Sequence, residues 1–145
     1  MPKKSEDKNK QSLTIRFIDD IEGLVEEFFD FPLINTGFTF EPATDILETD
    51  DTIYFIMEVP GVSQNDLNIA VGPSTIIVQG VKQPPDFLPT GASFYSLEIA
   101  YGNFRKRVQL PCRIEIQPVK VSLKNGLLMM QFRKYQKQIR TLIIE

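Results

Sequence analysis

Any catalysis by this chain has to run without histidine, of which it has none, and with a single thiol, Cys112. That removes imidazole acid–base chemistry and the Ser-His-Asp and Cys-His nucleophile schemes. It also removes intramolecular disulfides and zinc sites built from Cys and His. Carboxylates and cations remain. Asp19-Asp20, Glu26-Glu27 and Asp50-Asp51 are adjacent pairs, and neighbouring carboxylates on a helix or in a turn are ordinarily solvated rather than convergent. Arg105-Lys106-Arg107 alternates across a strand, so only part of it faces one side. With a net charge of −3, this run reads as surface or inter-subunit charge, not a nucleic-acid footprint. No glycine-rich phosphate loop occurs. Cys112 follows Pro111 at a strand end with only Arg113 as a basic neighbour, the setting of a structural thiol. The expectation is a protein with no catalytic residue, no metal and no cofactor.

The elements that position these residues are mostly strands. From Ala43 the apolar period is two. A-T-D-I-L-E-T forms a short strand, Asp50-Asp51 a turn, and T-I-Y-F-I-M-E-V a long strand ending at Pro60-Gly61. L-N-I-A-V places Leu67, Ile69 and Val71 on one face, and T-I-I-V-Q-G-V follows after Gly72-Pro73. Residues 82–92 carry Pro84, Pro85, Pro89 and Gly91 and cannot form a central strand. Residues 94–99 are expected as a short strand within that excursion. Phe104, Lys106, Val108 and Leu110 share a face of the next strand. Val119, Val121 and Leu123 alternate up to Asn125-Gly126, the dipeptide best suited to a tight hairpin, and an apolar run from Leu127 to Phe132 leads away. Closely spaced strands with turn signals between them predict an all-β sandwich or barrel.

The two ends differ from this centre. Residues 1–11 are polar and are expected to be disordered. From Leu13 to Phe31, apolar residues at Ile18, Ile21, Val25, Phe28 and Phe29 have the spacing of an amphipathic helix that stops at Pro32. Phe17, Phe28, Phe29, Phe31, Phe38 and Phe40 concentrate here. Such an arm either docks on the sheet or stays free to hold apolar segments of other chains. At the other end a basic, polar linker leads to Leu142-Ile143-Ile144. Three aliphatics left in water forgo about 25 cal/mol per Å², so they are expected to be buried, either by adding to their own sheet or, the favoured reading, by docking on a neighbouring subunit as an extended strand. No apolar run approaches a membrane span. The opening M-P-K-K-S-E-D-K-N-K has no leader-like apolar region, and with the lone cysteine this points to a reducing cytoplasm.

In order and spacing these segments resemble the α-crystallin domain of small heat-shock proteins. The matching pieces are P-A-T-D-I-L-E-T, E-V-P-G-V (58–62), D-L-N-I-A-V, E-I-A-Y-G-N-F (98–104), V-Q-L-P (108–111) and N-G-L-L (125–128). Leu142-x-Ile144 resembles the family's C-terminal I-x-I motif. The resemblance divides the chain into an N-terminal arm (1–41), an α-crystallin domain (42–134) and a C-terminal extension (135–145).

It implies an immunoglobulin-like β-sandwich and dimers that pack into larger homo-oligomers. It also implies ATP-independent holding of unfolding client proteins in a stress response, with no nucleic-acid partner. The C-terminal motif of one subunit is expected in a groove of another, between strands at 66–71 and 119–124, with Leu67, Ile69, Val71, Val121 and Leu123 as candidate lining residues. The dimer loop is expected at 83–101, with Phe94, Tyr95, Glu98 and Tyr101 as its contacts, and Lys106 as interface charge. The chain departs from the family pattern at Lys106 and Ile99, where arginine is usual, at Val121, where alanine is common, and at Leu142 in place of isoleucine. Lysine keeps the charge but loses the planar fork of arginine. The alternative function is a p23/CS-like co-chaperone or adaptor, which shares the sandwich but lacks the C-terminal motif.

Overall fold

The period-two segments become strands in the computed structural model, which describes residues 13–18, 40–137 and 141–145. The strands are β1 (Thr14–Phe17), β2 (Thr44–Glu48), β3 (Thr52–Glu58), β4 (Leu67–Val71), β5 (Thr75–Lys82), β6 (Gly102–Gln109), β7 (Lys120–Lys124) and β8 (Leu127–Arg133). A 3-10 turn, Gln64–Asp66, precedes β4, and the Ser63 side chain accepts a hydrogen bond from the Asn65 amide to cap it. Two four-stranded sheets form, in the orders β1-β4-β5-β6 and β2-β3-β8-β7. Every pairing is antiparallel except β1 with β4, which is parallel.

The sheets face each other through their alternating apolar residues. Phe55, Met57, Ile69, Ile76, Phe104, Leu128, Met130 and Phe132 are fully buried between them. Each such side chain contributes about 1.5–3 kcal/mol when fully buried. Gly80 sits where no side chain fits. A Cβ there would lie 2.4 Å from the Asp66 carbonyl oxygen and 2.6 Å from the Phe104 ring, so the glycine lets β5 approach the start of β4 closely.

The Asn125-Gly126 hairpin forms as the sequence predicts. Asn125 has φ 53° and Gly126 φ 74°, the left-handed pair that matches strand twist. It sets the register Leu123↔Leu128 and Val121↔Met130.

Two expectations are corrected. Residues 94–99 form no strand; they run irregularly through an exposed loop, because no neighbouring strand offers them backbone partners. The helical stripe predicted from Leu13 does not begin there, since Thr14–Phe17 is a strand. An open edge of β4 outweighs helix periodicity over so short a stretch. The remainder of the predicted helix lies outside the described residues, as do the N-terminal 1–12.

Candidate functional site

β4 and β7 are positioned by different neighbours, and a groove opens between β7 and the segment that covers the free edge of β4. β4 is held on one side by β5, from Leu67↔Gly80 to Val71↔Ile76. Its Leu67, Ile69 and Val71 are buried and belong to the sandwich core. β7 is the outer strand of the other sheet, and its Val121 and Leu123 are only partly buried against that core. A groove of about 500 Å³ is lined by Val121, Ser122, Leu123 and Lys124 from β7, Gln64 from the 3-10 turn, and Leu13 and Ile15. Of the candidate lining residues, Val121 and Leu123 therefore face this groove, whereas Leu67, Ile69 and Val71 are buried in the core and do not line it. The Gln64 side-chain oxygen is buried with no hydrogen-bond partner among the described residues.

Sequence reasoning missed the occupant of the remaining β4 edge. β1 pairs there in the register Thr14↔Asn68, Ile15↔Ile69, Arg16↔Ala70 and Phe17↔Val71. The Ile18 amide then donates to the Val71 carbonyl at 2.9 Å. Leu13 and Ile15 turn toward the core cluster, while Thr14 and Arg16 are exposed. The signal was present as the alternation L-T-I-R, but the helical spacing that starts at Ile18 overlaps it.

The other expected contact residues stand largely in water. Phe94, Tyr95, Leu97 and Ile99 are 63%, 105%, 73% and 64% exposed, and Leu142, Ile143 and Ile144 are 81%, 91% and 93% exposed. Glu98 is exposed too, and Tyr101 is half-buried, with the Lys82 ammonium 5.7 Å from its ring centre. Lys106 forms an ion pair within the chain, 3.5 Å from Glu41. Phe40, grouped with the arm by sequence, packs on the domain, its ring centre 5.3 Å from that of the buried Phe104. Phe17 is 46% exposed at the end of β1. Phe28, Phe29, Phe31 and Phe38 lie outside the described residues.

The titratable groups form structural contacts. Thr52 and Thr49 hydroxyls donate to the Asp51 carboxylate at 2.9 and 3.2 Å, holding its pKa below the ordinary value. The Lys134 ammonium contacts Glu48, which raises the lysine's pKa. Cys112 is a half-buried free thiol against the core. Among the described residues no cluster of His, Cys, Asp and Glu has the arrangement to hold a metal ion, and no helix is long and apolar enough to cross a membrane.

Known proteins share both the pattern and the architecture. The model of the Hsp20/alpha crystallin family matches residues 45–144. The chain is 28% identical to small heat shock protein C2 of Rickettsia felis, over 77% of this chain and 73% of that one. It is 30% identical to the mitochondrial 23.6 kDa heat shock protein of Arabidopsis thaliana, over 86% of this chain and 60% of that one. Among solved structures, heat shock protein 16.0 from Schizosaccharomyces pombe superposes with a TM-score of 0.60 at 21% identity, covering 74% of this chain and all of that one. HSP18.5 from E. histolytica does so with a TM-score of 0.58 at 26% identity, covering 72% and 98%. With its sandwich, its groove-forming strands and a family match over most of its length, the chain belongs to the Hsp20/alpha crystallin family.

Proposed function

We propose that this small heat-shock chaperone is an ATP-independent holdase that assembles as an oligomer of dimers and binds unfolding proteins through hydrophobic contact. The observation that carries the reading is the apolar surface left in water on the 83–101 loop and the 142–144 tail. Such surface is sparse on a protein that works alone, and its burial against another chain is the main driving force available. The loop is assigned to dimerisation. Its extended residues can pair with an open sheet edge of a second copy, and β2, an outer strand with Leu47 half-exposed, offers one. The tail is assigned to the β4–β7 groove of a further copy. The phenylalanine-rich arm 1–41 is assigned to clients, the domain to 42–134 and the extension to 135–145. This activity needs no cofactor, no catalytic residue and no nucleic acid, and a chain with one free cysteine suits the cytoplasm.

The test is native mass spectrometry of the full-length protein beside Leu142→Asp/Ile144→Asp. A large assembly that collapses to dimers is the expected result; an unchanged assembly overturns the tail assignment. A wild-type protein that is a stable monomer fits a p23/CS-like co-chaperone instead. Suppression of client aggregation, followed by light scattering, is expected to be lost when residues 1–40 are removed.

A further inference from the structure

The β4 edge has room for one strand, and the chain already fills it with its own residues. One side of β4 is consumed by β5. The other is consumed by β1, with a register of four residue pairs and the Ile18–Val71 hydrogen bond. The segment that does this is Leu13-Thr14-Ile15, and the tail assigned to the same groove is Leu142-Ile143-Ile144. Both are Leu-x-Ile. In an extended chain the two apolar side chains of such a triplet point to one face and the middle residue to the other. Leu13 and Ile15 are partly buried and Thr14 is exposed, so the N-terminal triplet uses its Leu and Ile in just this way.

We infer that Leu13-Thr14-Ile15 is an internal stand-in for the C-terminal Leu142-Ile143-Ile144 of a neighbouring subunit, and that the two compete for the β4 edge. Insertion of a tail releases β1. This rests on the tail-in-groove reading above and adds a coupling to it: assembly contacts and the docking of β1 are two outcomes of one site.

Two features suit β1 to displacement. It is a four-residue strand with its outer edge unpaired among the described residues, and Leu13 and Ile15 are only partly buried. Such short edge strands lie at the low-stability end of a fold. It also leaves the Gln64 oxygen in the groove wall without a partner among the described residues, a place for a donor from a different occupant. Competition of this kind lowers the apparent affinity of the tail by the fraction of time the edge is free.

The test uses the full-length chain with its own tail disabled by Leu142→Asp/Ile144→Asp and a fluorescent peptide of residues 136–145 as the probe. In one arm, Leu13→Asp/Ile15→Asp removes the internal competitor. Peptide binding is expected to tighten, about tenfold if β1 occupies the edge nine-tenths of the time. In the second arm, Thr14→Cys/Asn68→Cys in a Cys112→Ala background joins β1 to β4 at paired positions. Peptide binding is expected to be lost in the oxidised form and restored by reductant, a comparison of one protein with itself. Unchanged or weaker binding in the first arm, or full binding by the cross-linked protein, overturns the competition while leaving the tail assignment standing. A peptide that binds none of these proteins overturns both.

Discussion

β8 and the 83–101 loop are both rich in large apolar residues and meet opposite fates. In β8, Leu128, Met130 and Phe132 are sealed between the sheets; in the loop, Phe94, Tyr95, Leu97 and Ile99 stand in water. Side-chain type does not separate them. Backbone partners do. β8 lies between β3 and β7 and is paired on both edges. Pro84, Pro85 and Pro89 remove amide donors from the loop and carry it away from the sheet. The chain thus divides its apolar residues into a set that holds the domain together and a set available to other chains. Substitutions in the first set should unfold the protein, whereas those in the second should disassemble it while leaving the sandwich intact.

The largest effect expected is from Phe132→Ala. Truncating a fully buried phenylalanine costs about 3–5 kcal/mol, a large share of the roughly 5–15 kcal/mol that holds a domain folded. Urea denaturation should show a much lower midpoint. Leu97→Asp in the loop should keep the β-sheet circular dichroism spectrum and weaken self-association by tenfold or more, read by analytical ultracentrifugation. A Leu97→Asp protein that loses its sheet would erase the distinction between the two sets.

Close approaches within the sandwich give the next largest effect. At Gly80 an added methyl meets the Asp66 backbone oxygen and the Phe104 ring, and neither can swing aside as a flexible side chain would. Gly80→Ala should cost about 1–3 kcal/mol as overpacking. Gly126→Ala adds a Cβ 2.9 Å from the Pro60 Cα at φ +74° and should cost about 1 kcal/mol or more. Gly91, at φ +80° with nothing near its Cβ, belongs to the loop; Gly91→Ala carries only the backbone strain and should be the mildest of the three. Chemical denaturation midpoints rank them, and a Gly91→Ala as damaging as Gly80→Ala would show the loop to be packed.

How much of this was legible in the sequence depended on whether an element's partner was local. The Asn125-Gly126 hairpin needed only its own φ angles and was read correctly. β3 to β5 announced themselves through apolar runs bounded by turn residues; T-I-Y-F-I-M-E buries alternate residues from Ile53 to Met57, whereas β5 is buried almost throughout. β1 was missed although L-T-I-R alternates, because what makes Thr14–Phe17 a strand is the distant open edge of β4, and the competing helical spacing beginning at Ile18 is local and visible. The split of the groove residues was equally non-local. Leu67 and Leu123 have the same chemistry, and only the packing of one sheet on the other buries the first and leaves the second on the groove wall.

The smallest effect expected tests how firmly β2, the edge assigned to the dimer partner, is held by its own sheet. Lys134 follows β8 and contacts Glu48 at the end of β2, while Asp51 in the turn between β2 and β3 accepts from Thr52 and Thr49. The Glu48 contact raises the Lys134 pKa above 10.5, so its contribution to stability is complete below pH 10.5 and fades as pH rises through the raised value. The threonine hydroxyls lower the Asp51 pKa below 3.8, so its contribution is complete above that pH and fades as pH falls through the depressed value. Both groups are solvent-screened, which keeps each effect modest. Glu48→Gln should flatten the alkaline limb of a stability–pH profile, and Asp51→Asn should flatten the acid limb. If Glu48→Gln leaves the alkaline limb as steep as before, the ion pair does not fasten β2, and the edge is held by its backbone ladder to β3 alone.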